Sequence, residues 1–161
     1  MFIADQITLT GGLPAVCARL EKLAGGGLLL QASNDAYDEG LTGLLQAGPV
    51  RCLPGRGLAG VRLGELTVQN GCGRLPLRWE TTGPTGQFPV LDADITLTEA
   101  AEDATVLALT GAYRLAPGLA AEADQQAMRQ CSTTTIRGFL TRLACAIAHP
   151  AGRAEPGGLA S

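Results

Sequence analysis

The stretch that decides the fold runs from residue 75 to residue 113 and contains three runs in which polar and apolar residues alternate. The runs read LPLRWE (75–80), FPVLDADITL (88–97) and TVLALTGAY (105–113), and they are separated by GPTG (83–86) and by EAAED (99–103). Alternation with a period of two is typical of strands, and Gly, Pro and acidic residues favour turns. The stretch therefore predicts an antiparallel meander with one apolar face that needs a cover.

A long helical segment, from about residue 119 to residue 149, is predicted to supply that cover. At 100° per residue, one arc of the helix collects Met128, Ser132, Thr135, Ile136, Phe139, Leu143, Ala146 and Ile147. The second half of this arc is bulky, whereas Met128, Ser132 and Thr135 are smaller or more polar. A gap between helix and sheet, and hence a cavity, is predicted near these three residues.

The residues before the meander predict one strand and two short helices. A strand is predicted at 2–10, where Ile3, Ile7 and Leu9 alternate, and a helix at 14–24. A second helix is predicted to start at the capping side chains Ser33, Asn34 and Asp35, with Tyr37 on its apolar face, and to end at Gly48-Pro49. A short strand is predicted at 50–53.

The segment GRGLAG, at 55–60, formally matches the dinucleotide-binding fingerprint, and Glu80 lies at the spacing of a ribose contact. That fingerprint requires a helix directly after it, whose N-terminus receives the pyrophosphate. Residues 61–68 have a strand pattern instead, so nucleotide binding is not expected. Val61 and Leu63 share one parity and Leu66 and Val68 the other, which predicts a β-bulge at Gly64-Glu65. Asn70-Gly71 then predicts a tight hairpin turn.

Composition excludes several classes of protein. The 161 residues are 46% hydrophobic, carry a net charge of −3 and include a single lysine, Lys22, so one globular domain (1–149) with a flexible tail (150–161) is expected and a nucleic-acid partner is not. No apolar run is long enough for a membrane span, and no signal peptide is recognised. Oligomeric state cannot be predicted.

The cysteine and histidine content also argues against several kinds of site. The five cysteines are scattered, which indicates reduced thiols in a cytoplasmic protein. The single histidine, His149, is explained by the C-terminal dipole of the long helix. Neither a metal site nor another cofactor is predicted, and a Ser-His-Asp or Cys-His catalytic system is not expected.

The meander contains a pair of carboxylates, Asp92 and Asp94, with Glu80 near them in sequence. Paired carboxylates can perform acid–base chemistry when burial separates their pKa values. The pair alternates with Leu91, Ala93 and Ile95, however, so it is expected to point to solvent, where Arg78 of the neighbouring strand can pair with it.

Several short sequence segments resemble those of a group of SRPBCC-like proteins from high-GC actinobacteria. They are AYDEGL (36–41), PLRWE (76–80), FPVLDAD (88–94), LTGAYR (109–114) and TIRGFL (135–140). This superfamily includes START, Bet v 1-like and polyketide cyclase families. The resemblance implies an α+β helix-grip fold, in which a curved antiparallel sheet wraps around a long C-terminal helix. It also implies a cavity that binds lipids, polyketides or isoprenoid-like molecules. No catalytic residue can be carried over, because the superfamily shares an architecture and no fixed catalytic motif.

The leading hypothesis is a cofactor-free protein that binds a hydrophobic small molecule between the sheet and the first half of the long helix. Its expected lining is Trp79, Phe88, Tyr113, Met128, Ser132 and Thr135. Tyr37 resembles Tyr113 in being an amphipathic ring that can hydrogen-bond a ligand. Two alternatives remain: a polyketide cyclase- or hydratase-like enzyme that uses the same cavity, with Tyr113 or an inward-turned acidic residue as the proton donor, and an interaction module with a filled core.

Overall fold

A computed structural model describes residues 2–47, 59–81, 90–114 and 122–149. Within these ranges the chain forms, in order, β1 (Phe2–Thr10), α1 (Leu13–Gly25), α2 (Leu28–Ala47), β2 (Ala59–Leu63), β3 (Thr67–Gln69), β4 (Cys72–Thr81), β5 (Val90–Ala101), β6 (Ala104–Arg114) and α3 (Glu122–Ala148). The predicted strand at 50–53 and the predicted tail at 150–161 lie outside the described residues.

The strands form one antiparallel sheet in the order β1-β6-β5-β4-β2, and β3 also pairs with β4. The predicted meander is therefore confirmed as β4, β5 and β6, with Leu75 opposite Ile95 and Ile95 opposite Leu109. The sheet is curved and α3 is the C-terminal helix of a helix-grip fold, as the sequence predicts. This architecture gives the sheet an inner face toward the helices and an outer face toward solvent.

The β-bulge and the tight turn predicted before the meander are both present. β2 pairs Leu63 with Leu77, whereas β3 pairs Thr67 with Arg74, so the register shifts by one residue between the two strands. The extra residue lies after Gly64, whose N–H donates to the Pro76 oxygen at 2.8 Å. At the turn, Asn70 and Gly71 have φ angles of 51° and 72°, the left-handed values of a type I′ hairpin.

The second helix starts earlier than the capping pattern predicts. α2 begins at Leu28 and has 20 residues, so it is not short, and Ser33, Asn34 and Asp35 lie inside it. The prediction failed because the Ser33 hydroxyl donates to the Leu29 oxygen four residues earlier, at 2.9 Å, and so is satisfied within the helix. Asn34 is thereby placed one turn before Tyr37, on the same side of α2.

The arc predicted for α3 is the buried one. Ser132, Thr135, Ile136, Phe139, Leu143 and Ile147 are all buried, together with Leu140. The predicted opposite face is exposed at Gln130, Thr133, Arg137, Thr141 and Cys145. Of Met128 only the backbone, within α3, is among the parts that the structure describes.

Two contacts fix the direction of α3 over the sheet. Arg19 of α1 donates to the Ile147 oxygen near the end of α3, at 3.4 Å. The loop before α1 is tied to the β5–β6 turn, where the Gly11 N–H donates to the Asp103 oxygen at 2.9 Å. The first half of α3 therefore extends toward the opposite end of the sheet, where β4 ends and β6 ends.

Candidate functional site

A row of directly opposed residues crosses the inner face of the sheet at that far end. Trp79 of β4 is opposite Val61 of β2 and Leu91 of β5, and Leu91 is opposite Tyr113 of β6. Trp79, Leu91 and Tyr113 are all buried. Two of the residues predicted to line the site, Trp79 and Tyr113, are thus two strands apart in one row, because residues directly opposite in register share a face.

Two helices bring aromatic rings against this row. The ring of Tyr37, on α2, lies 6.1 Å from that of Trp79 between centroids, and the ring of Phe139, on α3, lies 5.5 Å from it. Both pairs are almost perpendicular, at 89° and 88°. Edge-to-face contacts are a favoured aromatic geometry. Trp79 is therefore contacted by one aromatic ring from each of the two helices.

Three polar side-chain atoms on α2 and β4 are buried without a hydrogen-bond partner among the described residues: Asn34 Oδ1, Tyr37 OH and Trp79 Nε1. A buried polar group left unsatisfied costs about 1–3 kcal/mol, so such groups are rare in proteins. Trp79 is wholly buried and Tyr37 is 3% exposed, so bulk water does not satisfy them. The arrangement can bind a polar group that enters the interior.

The environment of Tyr37 keeps its phenol in the neutral form. Burial is the main cause that raises the pKa of Tyr37 above its ordinary value of 10.0, and the nearby Tyr113 and Asp38 raise it further. An uncharged phenol can both donate and accept a hydrogen bond.

The remaining predicted lining residues have different outcomes. Ser132 and Thr135 are buried on the half of α3 that extends toward the row of Trp79 and Tyr113. Phe88 lies outside the described residues, and the side chain of Met128 does as well. Asn34 and Tyr37 were not among the predicted lining. The amphipathic ring of Tyr37 was a usable signal, but Asn34 looked like a helix cap and gave none.

The carboxylates of the meander point away from this site, as their parity predicts. On the outer face, a chain of ion pairs crosses four strands, from Arg62 through Glu80, Arg78 and Asp92 to Arg114. Asp94 pairs separately with Arg74, at 2.9 Å. Glu80, Asp92 and Asp94 are each partly exposed, and each forms an ion pair with at least one arginine. Acid–base chemistry in the interior therefore loses Glu80, Asp92 and Asp94 as candidates.

Two surface grooves lie away from the buried atoms of Asn34, Tyr37 and Trp79. One, of about 420 Å³, is on the outer face, and its lining includes Pro76, Thr110 and five of the paired charges: Arg62, Arg74, Arg78, Asp92 and Asp94. The other, of about 340 Å³, lies between Leu13, Pro14, Cys17 and Ala18 of α1 and the segment at Leu66 and Val68. Among the described residues, neither groove contains a buried polar atom that lacks a partner.

Other potential functional groups are accounted for locally. The Nδ1 atom of His149 lies 3.3 Å from the backbone oxygen of Cys145 at the end of α3. The partial negative charge at a helix C-terminus favours an imidazole in this position. Cys17, Cys72 and Cys145 are free thiols. No cluster of three His, Cys, Asp or Glu side chains suited to a metal ion occurs in the described ranges. Nor does any helix there combine the length and apolar character needed to cross a bilayer.

Comparison with solved structures supports the architecture. The chain is similar to a conserved protein from Geobacillus kaustophilus, with a TM-score of 0.55 and 15% identity over 92% of this chain and 95% of that one. It is also similar to a hypothetical protein from Helicobacter pylori, with a TM-score of 0.53 and 10% identity over 90% and 86% of the two chains. At these identities the likeness shows the fold alone.

A looser likeness is to the ZhuI aromatase/cyclase from Streptomyces sp. R1128. Its TM-score is 0.37, with 10% identity over 94% of this chain and 98% of that one. A TM-score this low carries no argument about this chain. No family model matches the chain, and no curated protein matches its sequence significantly.

Proposed function

We propose that the protein binds a hydrophobic small molecule in its interior, between the inner face of the sheet and α3. The observation that supports this is the set of buried polar atoms on Asn34, Tyr37 and Trp79 that lack partners among the described residues. A bound molecule with a polar group satisfies them, and the apolar residues around them favour a ligand that is otherwise hydrophobic.

The proposed lining joins these three residues to those predicted from the sequence. It comprises Asn34, Tyr37, Trp79, Phe88, Tyr113, Met128, Ser132 and Thr135. The proposal includes membership of the SRPBCC superfamily and its actinobacterial group, a ligand of the lipid, polyketide or isoprenoid-like class, and a cytoplasmic location. The helix-grip fold supports these statements without deciding between the ligand classes. The alternative, a cyclase- or hydratase-like activity, loses its acidic candidates, which lie on the outer face of the sheet, and would depend on Tyr113 as the proton donor.

The test is native mass spectrometry of the protein purified from its own host, before and after extraction with organic solvent. We expect an additional mass that extraction removes, which chromatography can then identify as an apolar compound. Ser132→Leu should abolish the additional mass, because the larger side chain projects from the buried face of α3. Thr133→Leu is the matched control, since Thr133 is the next residue along and is exposed.

Two results would contradict the proposal. One is a purified protein with no co-purifying compound that also fails to bind added apolar molecules. The other is an additional mass that persists equally in Ser132→Leu and Thr133→Leu, because the compound would then lie away from α3.

A further inference from the structure

We infer that Tyr37 and Trp79 form a pair of hydrogen-bond donors for one uncharged carbonyl oxygen, so that the ligand is a neutral ketone, ester or amide and not a carboxylate. This inference rests on the proposed function, because it specifies the ligand of the same interior site.

The geometry supports a shared acceptor. The indole Nε1–H of Trp79 can only donate, and the hydroxyl of Tyr37 can donate as well. Their rings are in edge-to-face contact, with 6.1 Å between centroids, so the two donors belong to neighbouring side chains. A carbonyl oxygen has two lone pairs and can accept both bonds. The two atoms that lack partners among the described residues are thus satisfied by one functional group.

Among the described side chains no cation is buried, which disfavours an anionic ligand. Ser33, Thr105, Ser132 and Thr135 are the buried polar or charged residues among the side chains that the structure describes, and all four are neutral. A buried carboxylate without a cationic partner is strongly disfavoured. Tyr37 itself stays protonated at neutral pH, which preserves its role as a donor.

Asn34 adds a hydrogen-bond acceptor to the two donors. Its Oδ1 atom, an acceptor, lies one helical turn from Tyr37 and is also buried without a partner among the described residues. A hydroxyl group on the ligand would donate to it. The site therefore favours a molecule in which a carbonyl oxygen and a hydroxyl are close together, although only the carbonyl is needed for the donor pair.

The test uses matched probes that differ in one functional group. Fluorenone and fluorene have the same ring skeleton, with a carbonyl in one and a methylene in the other, and fluorene-9-carboxylate adds an anion. Acetophenone and ethylbenzene form a smaller pair. Trp79 is the only tryptophan, so the single indole N–H resonance in a ¹H–¹⁵N spectrum reports on the site directly, and titration of that resonance gives the dissociation constant.

We expect the ketone of each pair to bind about 3- to 10-fold more tightly than its hydrocarbon, which is the usual net effect of one or two hydrogen bonds. Only the ketone should move the indole proton downfield, and the carboxylate should bind most weakly. Tyr37→Phe should reduce the preference for the ketone while the hydrocarbon still binds. Thr141→Val, which removes an exposed hydroxyl on α3, should leave the preference unchanged.

The outcomes separate the inference from the function on which it rests. If ketone and hydrocarbon bind equally without a downfield shift, or if the carboxylate binds best, the donor pair is wrong but the interior site stands. An unchanged preference in Tyr37→Phe also overturns the donor pair. If no probe of either size perturbs the indole resonance, the proposed function itself is contradicted.

Discussion

Arg137 of α3 forms an ion pair with Asp5 of β1, with 2.8 Å between Nη1 and Oδ1. The same guanidinium nitrogen donates to the backbone oxygen of Gln6 at 3.0 Å, and the N–H of Gln6 donates to Asp5 Oδ1 at 2.8 Å. β1 is the end strand of the described sheet. Two side chains thus occupy the N–H and the carbonyl oxygen of one residue of an edge strand, Gln6, and blocking edge groups is one way in which proteins prevent strand addition.

Arg137→Ala should lower the free energy of unfolding by about 1 kcal/mol, because an exposed ion pair and one backbone contact are lost. The measurement is urea denaturation. Arg129→Ala, which removes an exposed arginine from the same helix, is the control and should change stability by less than about 0.5 kcal/mol. A second measurement, sedimentation at increasing concentration, should show more self-association for Arg137→Ala. Equal effects of the two variants on both measurements would contradict the role given to Arg137.

Phe139→Leu should destabilise the protein by about 1–2 kcal/mol, because it removes the edge-to-face contact with Trp79 and leaves a small void. Urea denaturation gives the stability, and the fluorescence of the single tryptophan should change in the folded state. Phe2→Leu is the matched control, since Phe2 is 75% exposed. It should leave both properties almost unchanged. A similar loss of stability in both variants would argue against this packing.

Gly111→Ala should destabilise the protein by about 2–3 kcal/mol, because a Cβ atom at this position would lie 2.5 Å from that of Ala93 on the neighbouring strand. The clash is with strand atoms that cannot rotate away. Gly25→Ala, at the end of α1, meets nothing within 4 Å and should be neutral or stabilising by up to about 1 kcal/mol. Thermal or urea denaturation of the two variants checks this contrast. A Gly111→Ala protein of normal stability would contradict the close approach of β5 and β6.

Stability should fall at high pH because of Tyr37. Its folded-state pKa is raised above 10.0, so the unfolded chain releases the phenolic proton first. The contribution of the protonated Tyr37 to the free energy of unfolding is fully present below about pH 10. It is lost as the pH rises toward the folded-state pKa, by about 1.4 kcal/mol per pH unit. Urea denaturation between pH 9 and about pH 11 measures this loss. Tyr37→Phe should show a shallower decline, and an identical decline would be evidence against the burial of the phenol.

Asp92→Asn should lower stability by less than about 1 kcal/mol, because its two arginine partners are half-exposed and salt screens the pairs. Binding of fluorenone should be unchanged, since Asp92 lies on the outer face. The measurements are urea denaturation at low and high salt and titration of the indole resonance. Glu99→Gln is the control on the same strand, where the side chain is exposed. Loss of probe binding in Asp92→Asn alone would restore the carboxylate as a candidate for the interior.

Much of the fold could be predicted because strand parity is a local property. The alternation at Leu91, Asp92 and Ala93 alone assigned the acids to solvent, and the parity change around Gly64 located the bulge. The start of α2 could not be predicted, because Ser33 and Asn34 serve equally well as caps and as interior helix residues. The burial of Leu29 decided in favour of the helix, whereas Leu28 and Leu30 beside it are each 43% exposed.

The residues of the candidate site likewise fall into those that the sequence predicts and those that only the tertiary structure reveals. The sequence by itself determined that Trp79 and Tyr113 face inward and that Ser132 and Thr135 lie on the buried arc of α3, because periodicity specifies the face on which a residue lies. Only the tertiary structure decided that Tyr37 meets Trp79 and that Asn34, Tyr37 and Trp79 each bury a polar atom without a partner among the described residues. These residues are 42 or more positions apart along the chain from α2 to β4. Contacts at that separation depend on how a helix lies across a sheet, which no local pattern specifies.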